Sequence, residues 1–275
     1  MAEEERKALR PVNSNSAMYT LGIDIGSTTS KCAVIKDGTE LVATSLQTGG
    51  LGTGGPEEAL AALWRSSGLT AADIARTIVT GYGRKNYEGA DGEISELTAH
   101  ALGGRFVFPD LRTVIDIGGQ DAKVIALSPS GKMVNFVMND KCAAGTGRFL
   151  DVMASILRLD VDDLDTEAAK STAPASISST CTVFAESEVI SQLANGVKRP
   201  DLVAGICRSV ASRVAALARR AGVTEQVCLS GGVARNDAVR QALSEELNVP
   251  VSVDPLAQYF GAIGAALWAH KEVSK

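Results

Sequence analysis

Apolar and polar positions along the chain mark out elements that come twice. Residues 19–26, "YTLGIDIG", form an apolar run into glycine, which reads as a buried strand entering a turn. "KCAVIKDG" (31–38) and "ELVATSL" (40–46) read as a second and third strand, and "RTIVTG" (76–81) as another. Between them "GGLGTGG" (49–55) is a loop. "PEEALAALWRSSG" (56–68) is a helix, with proline at its start and glycine just past its end. The pattern then restarts, because "TVIDIGGQDAKVIALSPSGK" (113–132) reads as strand, glycine turn, strand and turn. More helix follows. Leu150, Met153 and Leu157 carry an apolar stripe after Cys142, and Val183, Ile190, Leu193 and Val197 carry one after Cys181. Residues 201–222 form a long helix ending at glycine. "EQVCLSGGVARN" (225–236) reads as strand, glycine turn and helix start, and "QYFGAIGAALWAH" (258–270) as a closing helix with small residues on one face.

The restart is a duplication. Asp24, Ile25, Gly26 and Lys31 recur at the same spacing as Asp116, Ile117, Gly118 and Lys123, with matching apolar flanks. Two similar halves, each opening on antiparallel strands, make an α/β protein.

Bulk properties narrow the partners. The 275 residues suffice for one large domain or two modest ones. Lys and Arg number 27 against 32 Asp and Glu, a net charge of −5 with no basic block, which argues against nucleic acid. No apolar run approaches the ~20 residues of a membrane span. The charged start "MAEEERKALRPVNSNSAM" carries no signal peptide, so residues 1–18 are expected to be a disordered extension and the protein cytoplasmic. Five cysteines, an odd number with no CxxC pair, favour free thiols or metal ligands over disulfides.

Strand-Asp-x-Gly turns suit phosphate binding. Glycine lets backbone approach the anion, and successive turn N–H groups form a concave nest. In the first turn Gly26 gives that approach, Ser27, Thr28 and Thr29 add hydroxyl donors, and Lys31 can neutralise phosphate charge. Gly118 and Gly119 give the same approach in the second. Asp24 and Asp116 can hold Mg2+ or orient an attacking water, and Gln120 or Asp121 can position that water. The alternative is a pair of hairpin turns with buried aspartates; recurrence of the turn together with "SGGVARN" weighs against it.

The cysteines allow three readings. Cys32, Cys207 and Cys228 lie in strand or helix patterns and suit packing as small core residues. Cys142 and Cys181 each precede an apolar-striped helix, where a helix N-terminus would favour a thiolate. A catalytic thiol would want a histidine base, and only His100 and His270 exist. A 4Fe-4S cluster usually needs four thiolates. One chain offers two matched ones, and a two-fold homodimer would supply four.

The three glycine motifs resemble the phosphate-1, phosphate-2 and adenosine motifs of the acetate and sugar kinase, Hsp70 and actin superfamily. That resemblance implies two ribonuclease H-like halves around a nucleotide cleft, an actin-like, Hsp70-like ATPase fold. The halves would be residues 19–110 with 257–275, and 111–256, the latter carrying both cysteines. It also implies that Gly231, Gly232 and Val233 back the adenosine, with Gln258 near it. A narrower resemblance runs from Tyr19 onward through "LGIDIGSTTSKC", "TGYGR", "SELTAHA", "TVIDIGGQDAKVI", "NDKCAAGTGRFLDVMA", "ISSTCTVFAESEVISQL", "AGICRSVASRV" and "PLAQYFGAIGAALWA". These stretches are similar to the ATP-dependent activators (component A) of 2-hydroxyacyl-CoA dehydratases, relatives of the ATP-binding subunits of benzoyl-CoA reductase.

The narrower resemblance implies a homodimer bridged by one 4Fe-4S cluster, with Cys142 and Cys181 of each copy as ligands. It implies ATP and ADP as nucleotides and ferredoxin or flavodoxin as electron donor. The dehydratase (component D) would receive a low-potential electron. Gly145, Thr146 and Gly147 would then let the helix start approach the cluster, with Thr146 a donor to its sulfurs, and Glu96 would belong to a switch between the halves. The alternatives are a benzoyl-CoA reductase ATPase subunit or the reductase of another iron–sulfur protein, a small-molecule kinase of the same superfamily, and a chaperone-like nucleotide sensor.

Overall fold

The computed structural model describes residues 17–50, 52–178 and 181–275; most of the expected N-terminal extension, residues 1–16, lies outside the described residues. The elements run β1 (Tyr19–Ile25), β2 (Thr29–Lys36), β3 (Glu40–Thr48), α1 (Gly55–Ser67), β4 (Ile74–Thr80), β5 (Gly92–Glu93) and α2 (Glu96–Val107). Next come β6 (Thr113–Ile117), β7 (Ala122–Leu127), β8 (Met133–Asn139), α3 (Gly147–Leu157), α4 (Leu164–Ala168), α5 (Thr182–Ala194) and α6 (Arg199–Ala221). The chain finishes with β9 (Val227–Ser230), α7 (Asp237–Leu247), β10 (Val251–Ser252) and α8 (Phe260–Val273). It divides into two compact units, one running to Pro109 and taking in Gln258–Lys275, the other spanning Asp110–Ala257.

Each unit holds one five-stranded mixed sheet, and the two sheets have the same plan. The first is ordered β3-β2-β1-β4-β5, the second β8-β7-β6-β9-β10. In each, three antiparallel strands are followed by two parallel ones. In the first sheet Ile23 and Ile25 are buried in the core, and in the second Ile115 and Ile117 are. In the first unit α1 packs on β2 and β3, while α8 lies across β1, β2 and β4 and against α2. In the second unit α6 packs on β7, β8 and α7.

Local sequence sets the helix ends. Pro56 opens α1, and Gly68 (φ 70°) closes it by donating its N–H to the Trp64 carbonyl. The Ser95 hydroxyl accepts from the Thr98 N–H and caps α2. Asn236 caps α7 by accepting from Val239.

The structure corrects several expectations. Strand β8 is an element not anticipated above: Met133, Val134, Phe136 and Met138 lie along this edge strand and are all exposed. Helix α2 also carries no clear periodic signal. Residues 232–235 form a short 3-10 turn, and α7 begins only at Asp237. The stripe expected along α5 faces outward in this chain, with Val183 67%, Ile190 50% and Leu193 43% exposed. Val197 lies beyond the helix, and the buried positions of α5 are Ala185 and Val189.

Candidate nucleotide half-sites and exposed cysteines

The Asp-to-Lys spacing is a hairpin register. Asp24 of β1 pairs across the strands with Lys31 of β2, and Asp116 of β6 pairs likewise with Lys123 of β7. Directly opposed residues share a face, so each ammonium falls beside its aspartate. Both turns close alike: the Gly26 N–H donates to the Thr29 carbonyl at 3.0 Å, and the Gly118 N–H to the Asp121 carbonyl at 2.9 Å.

Beyond that frame the two turns differ. In the first, Lys31 Nζ lies 3.6 Å from Asp24 Oδ2 and close to Gly26. Ser27 and Thr29 are half-buried and Thr28 is exposed. In the second, buried Lys123 sits 3.2 Å from Asp116 Oδ2 and 2.8 Å from Asp121 Oδ2, so two carboxylates hold it. Asp116 Oδ1 accepts from the Ser230 hydroxyl at 2.8 Å. Gln120 is exposed at the tip, and Asp121, Gly118 and Gly119 are half-buried. Lys31 is thus the better placed of the two lysines to meet an incoming anion.

A second duplicated feature escaped sequence reading. Thr80 lies opposite Asp24 in the β1–β4 pair, and Ser230 opposite Asp116 in the β6–β9 pair. Each is followed by a glycine in a conformation that favours glycine, Gly81 at φ 92° and Gly231 at φ 85°. A Cβ on Gly81 would lie 2.4 Å from the Ile25 carbonyl and 2.5 Å from Asp24 Oδ1. One on Gly231 would lie 2.3 Å from the Ile117 carbonyl and 2.9 Å from Asp116 Oδ1. "TGYGR" is therefore the counterpart of "SGGVAR"; the shared hydroxyl–glycine step after an apolar strand was the available signal. Gly232 and buried Val233 follow in the 3-10 turn, and half-buried Gln258 lies in the turn before α8. Glu96 pairs with Arg84 at 3.6 Å inside the first unit, and Arg84 donates to the Gly81 carbonyl at 3.0 Å.

The five cysteines separate into two kinds. Cys32, Cys207 and Cys228 are buried, and Cys142 and Cys181 are exposed. Burial pushes the Cys32 and Cys207 thiols up to about 12 and raises Cys228 as well, so these three are poor ligands and nucleophiles.

Cys181 is the residue ahead of α5, and its carbonyl accepts from the Ala185 N–H. Glu188 of the same helix accepts from the Ser178 N–H and hydroxyl, each at 2.9 Å.

Cys142, expected at a helix front, sits instead in a loop, because α3 starts at Gly147. Asn139, at the end of β8, clasps that loop: its side chain accepts from the Cys142 N–H at 3.1 Å and donates to the Cys142 carbonyl at 2.7 Å. Thr146 is fully buried and its hydroxyl donates to the Ala143 carbonyl at 2.7 Å, so it does not reach out as a sulfur donor. Gly147 and Arg148 do something else: their N–H groups donate to the Gly118 and Gly119 carbonyls at 2.9 and 2.8 Å. The first amides of α3, which have no partner within the helix, thereby anchor it to the second Asp-x-Gly turn. Arg213 of α6 packs against Gly145 and over the Phe149 ring; burial lowers its pKa, opposed by nearby Cys142 and Glu188.

Among the described residues no three His, Cys, Asp or Glu side chains gather as a metal cage. The exposed donors are two thiols, which suit iron–sulfur ligation in type and make half of a four-thiolate set.

A duplicated mixed-sheet unit, each copy presenting an Asp-x-Gly hairpin backed by a hydroxyl–glycine step, places the protein among the actin-like, Hsp70-like ATPase folds. Within that class the chain belongs to the BadF/BadG/BcrA/BcrD ATPase family, whose model matches residues 21–269. It is 56% identical over 260 residues to the (R)-2-hydroxyglutaryl-CoA dehydratase activating ATPase of Acidaminococcus fermentans, covering 94% of this chain and all of that one. A solved structure of the activator of the 2-hydroxyisocaproyl-CoA dehydratase from Clostridium difficile, with bound ADPNP, superposes with a TM-score of 0.91 at 52% identity, covering 94% of this chain and 96% of that one. A benzoyl-CoA reductase subunit of Thauera aromatica is more distant, 33% identical over 77% of each chain. No helix among the described residues is long and apolar enough to cross a membrane.

Proposed function

We propose that this protein hydrolyses ATP to drive one-electron transfer to a 2-hydroxyacyl-CoA dehydratase, acting as that enzyme's activator. The observation that carries the reading is the strut from Cys142 to the second phosphate turn: Gly147 and Arg148 hold Gly118 and Gly119 by two backbone hydrogen bonds, five and six residues after an exposed thiol. A nucleotide-dependent change at the turn is thereby transmitted to the cysteine. Relatives above 50% identity that are named as dehydratase activators support this client over benzoyl-CoA reductase.

In this reading Gly26, Ser27, Thr28, Thr29 and Lys31 receive phosphate oxygens, as do Gly118 and Gly119. Asp24 and Asp116 hold Mg2+ directly or through water. Gln120 or Asp121 orients the attacking water, while Gly231, Gly232, Val233 and Gln258 serve the adenosine. Cys142 and Cys181, from each of two copies, hold a single 4Fe-4S cluster. When bound, the cluster supplies a one-electron couple, fed by ferredoxin or flavodoxin and tuned by hydrogen bonds and solvent exposure. The protein is cytoplasmic in this reading.

The test is anaerobic purification with iron and sulfide analysis, followed by an assay with an activator-free dehydratase. About two iron atoms per chain, half of a four-iron cluster, and ATP-dependent onset of dehydration support the reading. Colourless, iron-free protein that phosphorylates a small metabolite refutes it.

A further inference from the structure

We infer that His100 is a positioning residue for Asp24, fixing the carboxylate that acts on the metal and water of ATP hydrolysis; this rests on the ATPase reading above. Three glycines set the geometry. A Cβ on Gly103 of α2 would lie 2.0 Å from the Phe260 carbonyl oxygen. One on Gly264 of α8 would lie 1.8 Å from that of Ala99, and one on Gly22 of β1 1.9 Å from that of Ala262. Helix α8 therefore rests on β1 and on α2 backbone to backbone, with no room for a side chain at the crossings.

That close approach brings two buried polar groups together. A Cβ on Gly261 would meet Asp24 Oδ2 at 2.7 Å and His100 Nε2 at 3.2 Å, so both converge on the space left by one missing methyl group. Asp24 is 5% exposed and His100 6%. Glu96, one turn earlier on the same face of α2, pairs with Arg84, which also bonds the Gly81 carbonyl. Gly81 closes on the other Asp24 oxygen. The carboxylate thus stands in a slot with Gly81 on the Oδ1 side and Gly261, His100 and Lys31 on the Oδ2 side. A carboxylate in such a slot keeps one rotamer, and its free lone pairs keep one direction.

The role differs from packing in what it moves. A group that orients Asp24 affects turnover, whereas nucleotide affinity comes mainly from contacts this residue does not make. His100→Leu keeps the volume and removes the polar nitrogen; His100→Gln keeps an amide N–H of similar reach. With anaerobically purified full-length protein, steady-state ATP hydrolysis is measured alongside the melting midpoint. The expectation is a kcat loss of ~10–100-fold in His100→Leu, the range for second-layer partners of a metal site. KM for MgATP should stay within about threefold, and His100→Gln should regain most of kcat. A kcat for His100→Leu close to the parent's, or equal losses in both variants, overturns the inference. Should His100→Leu fail to fold, Gly261→Ala decides, since its methyl enters the shared space: unaltered kcat there also overturns it. Parent protein that hydrolyses no ATP sinks the proposed function itself, which separates the two failures.

Discussion

Removing Lys123 should destabilise the protein far more than removing a typical surface charge. Its ammonium lies between Asp116, 3% exposed, and Asp121, at 3.2 and 2.8 Å. Lys123→Met leaves the methylene stem in place and strands Asp116 as a buried anion. Breaking a buried pair by deleting one partner costs about 3–5 kcal/mol. The surviving hydrogen bond from Ser230 to Asp116 Oδ1 points to the lower end of that range. At about 2–4 °C per kcal/mol for a unit of this size, the melting midpoint should fall by roughly 10 °C. The diagnostic is the pair with Asp116→Asn: the double variant should recover much of the loss, because no buried charge remains. Thermal unfolding followed by far-ultraviolet ellipticity reads both. A drop of less than about 2 °C in Lys123→Met, or a double variant no better than the single, refutes the buried-charge reasoning.

Alkylation of the metal-free chain by iodoacetamide at pH 8 should label Cys142 and Cys181 and spare the other three, read by peptide mass spectrometry; with Cys32 and Cys207 pushed up to about 12, only about one thiol in ten thousand is ionised there, and labelling of these two should climb only as pH approaches that value. Asp24→Ala should lower ATP turnover while leaving the iron content and the visible spectrum of the as-purified protein unchanged. Asp201 is held below the usual carboxylate range by the Ser171 hydroxyl and the Ala173 and Thr172 N–H groups. Its contribution to stability is therefore present above the unfolded value, about 3.9, and lost as pH falls through the lowered folded value. Asp201→Asn should flatten the acid side of a plot of melting midpoint against pH.

What was legible in the chain follows from how local each feature is. The Asp-x-Gly-x4-Lys spacing is a hairpin register, so the duplication could be read directly and the pairs Asp24–Lys31 and Asp116–Lys123 appear as expected. The counterpart relation of Gly81 and Gly231 was hidden because chains of different length separate each from its aspartate, although β4 and β9 occupy equivalent places in their sheets. The convergence of His100 and Asp24 was out of reach altogether: it depends on α8, from the far end of the sequence, meeting β1 and α2 through Gly22, Gly103 and its own Gly264.

The segment from Cys142 to Arg148 shows the limit most sharply. Its glycines look like a phosphate loop, and sequence reasoning assigned them instead to the neighbourhood of the cysteine. The structure gives them a mechanical role between the two. Gly145, at φ 89°, turns the chain over Arg213, buried Thr146 locks that turn through Ala143, and the amides of Gly147 and Arg148 hold the second Asp-x-Gly turn by its carbonyls. Two hydrogen bonds of about 1 kcal/mol each are weak alone. Placed at the start of an 11-residue helix, they tie Gly118 and Gly119 to the end of the loop carrying Cys142, the link on which the proposed coupling depends. A side chain at position 147 would press on the Gly118 carbonyl at 3.2 Å and on Gly119 at 3.3 Å. Glycine there keeps the start of α3 close against the second Asp-x-Gly turn, and the loop carrying Cys142 leads directly into that contact.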